Sequence, residues 1–180
     1  MFRNLLVGLD RSSCADYALT RAIDLAERHH GRLTVLTAVP EVHAWAIAPV
    51  ETVTASRQLV AELEMEAAAI QRRALDRVPQ CVPTVTILRR GAPRAVFLKE
   101  LCCGEYDVLV IGADPTRRLG VRLTRSFTRY LVARSPVAVL VIEPDSNERL
   151  HVPERPGPAP PPEISETVDV VQERPAPWRR

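Results

Sequence analysis

Aromatic residues make up only 4% of this 180-residue chain, and Lys99 is its single lysine. So few aromatics leave no stacking platform for nucleic-acid bases, and no recognition helix is evident, so a nucleic-acid partner is not expected. No apolar run approaches the roughly 20 residues that a membrane helix needs. Nor does the start, Met1-Phe2-Arg3-Asn4, lead into an apolar stretch of signal-peptide length. These absences predict a cytoplasmic protein without membrane contact. The four cysteines, Cys14, Cys81, Cys102 and Cys103, have no CxxC or zinc spacing. Adjacent Cys102 and Cys103 are poorly placed to bridge each other, so all four read as reduced thiols, with Cys14 a buried one. No P-loop lysine motif, no Ser/His/Asp order and no metal-ligand cluster is present. His29 and His30 adjoin but point apart, at a helix end where their charge suits the dipole. Catalysis and metal binding are therefore not expected.

What is present is unevenly distributed. Residues 1–142 carry 19 basic and 14 acidic side chains, whereas 143–180 carry 5 and 8. Between Asp114 and Glu143 stand six arginines and no acid. From Pro144 onward prolines crowd the chain, at 153, 156, 158, 160, 161, 162, 175 and 177. Proline removes backbone donors and favours extended structure, and apolar residues are too few there for a core. The expectation is an α/β domain over 1–143 and a Pro-rich disordered tail over 144–180. One island in that tail, Ile164 to Val171, alternates weakly. It suits a short docking strand or, more simply, a solvated segment.

Residues 1–143 alternate between strand and helix periods. Leu5 to Leu9 is a near-continuous apolar run, as a strand buried on both faces requires. Ser12 and Ser13 are N-cap candidates, with Asp16 at capping-box distance from Ser13. Ala15, Ala18, Leu19, Ala22, Ile23 and Ala26 recur at helical spacing, and Gly31 is the stop signal. Leu33–Val39 is the second strand. A long helix from about Thr54 to Val78 presents Leu59, Leu63, Ala67, Ile70 and Ala74 on one stripe. Val82–Leu88 alternates and predicts a third strand nearer the sheet edge. A short helix with Val96, Phe97 and Leu101 follows. Val108–Ile111 is the fourth strand, Leu123, Phe127, Tyr130 and Leu131 mark the last helix, and Val137–Ile142 is the fifth strand. Right-handed crossovers make this a parallel sheet with helices on both faces, whose ligands bind beyond the carboxyl ends of the strands. That rule points to Asp10-Arg11-Ser12-Ser13 after the first strand and Gly112-Ala113-Asp114-Pro115 after the fourth.

With Leu6-Val7-Gly8-Leu9-Asp10 and Ser12, then Gly91-Ala92-Pro93, Asp107–Gly112 and Ser135–Ile142 in that order, the chain resembles the universal stress protein family over about Phe2 to Glu143. The resemblance implies a Rossmann-like, open five-stranded parallel sheet of order 3-2-1-4-5 and homodimerisation through the last strand, Val137–Ile142. That strand, apolar and at the end of the sheet, would be a bare edge. It also implies a nucleotide site. Members that bind nucleotide carry glycine, two residues, glycine, nine residues, then glycine and a hydroxyl residue. Here those positions are Gly112, Pro115, Arg125 and Ser126, so two of the three glycines are replaced. The adenosine-contacting aspartate falls on Asp10, and Ala38, late in the second strand, completes the candidate set. Pro115 has no N–H and a fixed φ, and Arg125 puts a long side chain where bare backbone would face phosphate. ATP is therefore expected to bind weakly or not at all, with no other cofactor implied.

Arginine supplies the counter-argument. Arg122, Arg125 and Arg129 share one helix face, and with Arg117 and Arg118 would rebuild a phosphate site from side chains. An ATP-gated switch or slow ATPase is the alternative that follows, against the simpler solvated helix face. Asp10 and Asp114 as paired carboxylates read as a ligand contact and a loop cap, and Ser12 and Ser13 as caps. The role expected is stress-response regulation or protection through dimerisation and protein or small-ligand binding, with the tail as a further docking segment for protein partners.

Overall fold

A computed structural model describes residues 2–40, 50–113, 121–143, 148–153 and 170–174, with backbone alone for 50–56, 121–126 and 170–174. The elements in chain order are β1 (Asn4–Gly8), α1 (Ser13–His29), β2 (Arg32–Val39), α2 (Val50–Arg77), β3 (Thr84–Arg90), α3 (Pro93–Cys103), β4 (Val108–Gly112), α4 (Val121–Arg134), β5 (Ala138–Ile142), β6 (Glu148–His151) and β7 (Val170–Arg174). The sheet order is β6-β5-β4-β1-β2-β3-β7. Its five central strands are parallel and stand in the expected order 3-2-1-4-5.

The apolar run in β1 is explained by its central position. Leu5, Leu6 and Val7 are all at 0% exposure. Leu5 and Val7 join the core under α1, while Leu6 points to the opposite core, beneath α3 and α4. Burial at that level stabilises by about 1.5–3 kcal/mol per side chain. Asp107 ties the strand starts together, since its Oδ2 accepts from the N–H groups of Arg3 at 2.6 Å and Asn4 at 2.8 Å.

Helix α1 begins as the serines predict. Ser12 is the N-cap, and its Oγ accepts from the Ala15 N–H at 3.2 Å. The box to Asp16 does not form, because Ser12 rather than Ser13 caps, and Asp16 accepts instead from Arg77 of α2 at 2.6 Å. The six predicted core residues of α1 are all buried. Its left-handed terminal residue is His30, at φ 50°, not Gly31. Gly31 is bare for another reason, as a Cβ there would lie 2.8–3.0 Å from Leu5 and the carbonyls of Phe2 and Arg3.

Helix α2 starts at Val50, a turn earlier than expected. Ala67 and Ala74 are buried and Leu63 and Ile70 partly so, but Leu59 is 47% exposed. A glutamine does unpredicted work there, as the buried Gln71 amide donates to the Ile87 carbonyl at 2.7 Å and ties α2 to β3.

The edges differ from expectation. The stretch expected to be disordered supplies two antiparallel strands. β6 pairs with β5, Ile142 facing Glu148 and Val139 facing His151. β7 pairs with β3, Leu88 facing Val170 and Thr84 facing Arg174. Val137–Ile142 is thus not a bare outer strand, and β3 is buried along Thr84–Leu88 rather than alternating. The weakly alternating island overlaps β7 at Val170 and Val171, while residues 164–169 lie outside the described ones.

Where β4 meets α1 the backbones are in close contact. A Cβ on Gly112 would lie 2.2 Å from the Cys14 carbonyl oxygen. Backbone cannot move aside cheaply. Gly112→Ala is therefore expected to cost about 1–3 kcal/mol or more, read as a lower urea midpoint with unchanged slope.

Candidate functional site

The carboxyl ends of β1, β2 and β4 converge on a cavity of about 500 Å3. Three sequence-predicted residues meet on its wall, Asp10, Ala38 and Gly112. Asp10 lies two residues past β1, where the chain turns into α1. Its Oδ1 accepts from the Ser12 N–H at 2.8 Å and the Ser12 Oγ–H at 2.5 Å. Ser12 Oγ in turn accepts from the Ala15 N–H. A short chain of bonds thus runs from the first turn of α1 through Ser12 to the carboxylate and fixes its rotamer. This uses the serine as cap and orienter rather than nucleophile. The strand register holds the other side, since the Leu9 N–H donates to the Leu36 carbonyl at 2.9 Å and the Ala113 N–H to the Ile142 carbonyl at 2.8 Å.

Gly112 ends β4 at the mouth, and its bare backbone is already accounted for by the first turn of α1. Pro115 lies outside the described residues, as do Asp114, Arg117 and Arg118. Arg125 and Ser126 sit on the backbone of α4, just before Phe127, and their side chains are outside the described set, as is that of Arg122. The proposed arginine face is therefore described only at Arg129, which is exposed.

Several lining residues were not in the sequence-predicted set. Phe97 of α3 and Phe127 of α4 meet edge to face, with centroids 5.4 Å apart, and both line the cavity. Gly8 makes this contact fit, as a Cβ there would sit 2.8 Å from the Phe97 ring. Arg94, in the first turn of α3, lines the same cavity, with its guanidinium 5.4 Å from the Tyr130 ring centroid. Residue Ala92 caps α3 with no side-chain bond, and Pro93 occupies the first turn. The lining is mainly apolar, with the Asp10 carboxylate and the Arg94 guanidinium as its charged members. Such a site suits a ligand with a flat or apolar body, a hydroxyl or amine for Asp10, and at most modest negative charge. Gly91-Ala92-Pro93 was the available signal for the α3 wall. Nothing in the spacing of the two phenylalanines marks them as lining rather than core.

A second cavity, of about 480 Å3, opens on the other side of Asp10, between the ends of β1 and β2 and helix α2. Thr37 lines it at 4% exposure, and its Oγ1 has no partner among the described residues. Asp10 also lines a third cavity, of about 430 Å3, beside Arg11, Glu66, Arg73 and Arg77, so more than one chamber reaches it. Elsewhere, His29 packs edge-on against Phe2, Cys14 is buried, and burial together with Cys103 pushes the Cys102 thiol up from its ordinary pKa. Among the described residues no three His, Cys, Asp or Glu side chains gather to hold a metal ion, and no helix is long and apolar enough to cross a membrane.

The family model described as the universal stress protein family matches residues 1–143. A protein of Staphylococcus haemolyticus, described as a candidate universal stress protein, is 23% identical over 144 residues, spanning 78% of this chain and 84% of its own. The solved universal stress protein UspA of Lactobacillus plantarum is 25% identical, covers 77% of this chain and 96% of its own, and superposes with a TM-score of 0.62. A universal stress protein solved in complex with cAMP shares the fold at 18% identity and a TM-score of 0.52, over 78% of this chain and 97% of its own.

Ser12→Ala should cost about 1 kcal/mol through loss of the cap, seen as a lower thermal midpoint. The Asp10 carboxylate would lose its orienting hydroxyl in the same variant.

Proposed function

The chain belongs to the universal stress protein family, and from that membership we propose a regulatory protein of the stress response that takes a small ligand of low charge at Asp10 and does not hold ATP tightly. The observation that carries this reading is the use of Gly112. Of the three glycine positions in the family's phosphate pattern, Pro115 and Arg125 replace two, and packing against the Cys14 carbonyl accounts for the third. No glycine is then left whose bareness calls for a phosphate. Each charge-assisted bond lost to a phosphate oxygen costs about 1.5–3 kcal/mol, or about tenfold to a hundredfold in affinity. The mainly apolar wall of Phe97 and Phe127 beside an anchored carboxylate suits a nucleoside-like body better than a triphosphate.

In this reading Asp10 accepts from a ligand hydroxyl, Ala38 leaves room beside it, and no chemistry follows binding. The setting is cytoplasmic, and protein partners dock on segments beyond Glu143. One observation favours a second reading, an ATP switch or slow ATPase. Arg94 reaches the same cavity from α3 and would add its charge to Arg125, Ser126 and the arginines of α4 in a rebuilt phosphate site.

Calorimetric titration of ATP with Mg2+ separates the two. The natural chain should show no heat at micromolar concentrations, whereas a Pro115→Gly, Arg125→Gly double variant should gain binding. Micromolar binding by the natural chain would overturn the main reading and turn attention to hydrolysis. Adenosine titrated in parallel should bind the natural chain and lose about tenfold or more on Asp10→Ala, the size of one good hydrogen bond.

A further inference from the structure

Two ion pairs clamp α2 to α1 and the loop before it. Glu66 takes Arg11 at 2.8 Å, and Arg77 reaches Asp16 at 2.6 Å and the Thr20 hydroxyl at 2.7 Å. Glu66 and Arg77 lie about 16 Å apart along the helix at 1.5 Å per residue. Between the clamps the helix turns small side chains inward, Ala69 and Ala74, and the cavity of about 430 Å3 opens there. Its floor is apolar, with Leu9, Leu19 and Ala74 at 6%, 1% and 2% exposure.

Six charged side chains line this cavity, and four of them are spent in the clamps. The two that remain have opposite sign. Asp10 accepts only from Ser12, through Oδ1, so Oδ2 keeps its acceptor capacity. Arg73 stands one turn before Arg77 on the same helix face. It has no ion pair or hydrogen bond among the described residues. A carboxylate and a guanidinium thus face one cavity without neutralising each other. A simple cation or anion would satisfy one and leave the other. A zwitterion satisfies both.

We propose that this cavity binds a free amino acid with a short apolar side chain. Its ammonium group donates to Asp10, its carboxylate accepts from the Arg73 fork, and its side chain lies on Leu9 and Leu19. The clamps set the distance between the walls and keep the other four charges from competing for the ligand. The proposal goes beyond the nucleoside-like reading and does not rest on it, since the two cavities share Leu9 and Asp10 alone.

The test titrates L-alanine into the full chain and follows backbone amide shifts by NMR, with ethylamine and propionate as half-ligands. L-alanine should bind with a Kd of about 1 mM or tighter, and the shifts should fall on 9–11, 16–19 and 69–74. Each half-ligand should bind about fivefold or more weakly, the size of one exposed ion pair. Arg73→Gln, on the exposed surface, should cost alanine a similar factor, and Arg73→Lys should restore much of it. Ala69→Leu keeps every charge, fills the space and should abolish binding. Absence of alanine shifts would overturn the proposal. So would propionate binding as tightly as alanine, or an Arg73→Gln or Ala69→Leu variant that binds alanine like the natural chain.

Discussion

The contact between the bare backbone of Gly112 and the carbonyl of Cys14 is the constraint on which the site depends. It lets the first turn of α1 settle directly on the end of β4. Once α1 is seated there, its N-cap Ser12 has a fixed place, and Asp10, two residues earlier, must turn back to satisfy Ser12. A carboxylate that looks from the sequence like an isolated polar residue after a strand is thus positioned by packing on the neighbouring strand. The same contact by itself calls for a bare backbone at Gly112, whatever stands at the other positions of the phosphate pattern.

A similar economy governs the apolar side. Gly8 yields space to Phe97, Phe97 meets Phe127, and so α3 and α4 are drawn together over the end of β1. The cavity is what remains between two helices that touch through one aromatic pair and a sheet whose strand ends carry small residues. Its polarity is asymmetric as a result, with Asp10 toward α1 and Arg94 toward α3.

Much of this was legible in the sequence, and the parts that were not share a physical cause. Leu5–Leu9, Leu33–Val39 and Val108–Ile111 are strands buried on both faces, and their apolar runs say so. The caps and apolar stripe of α1 obey local rules and were read from local residues. Leu59 was misplaced because helical periodicity marks a stripe but not which of its members find a surface to pack against. β6 was missed because an exposed edge strand is stabilised by its ladder to a neighbour, which leaves no periodic trace in Glu148–His151, while of β7 the weakly alternating island marked only Val170 and Val171. Asp10 and Gly112 were found through the topology rule for strand ends, and Ala38 came with the candidate set that the family resemblance implied. Phe97, Phe127 and Arg94 were not, since which core residue also faces a void depends on the packing of two helices distant in sequence.

The placement of β6 and β7 has a consequence for the order of events in synthesis. The five parallel strands are complete by Ile142, so the central sheet and its helices can assemble while later residues are still being made. Until then both margins of the sheet, along β5 and along β3, present unpaired backbone. Only the last stretch of chain closes them, one after the other. The nascent protein therefore passes through an interval in which its core is formed and its two margins are adhesive, and the length of that interval is set by the translation of the proline-rich segment that separates the two closing strands.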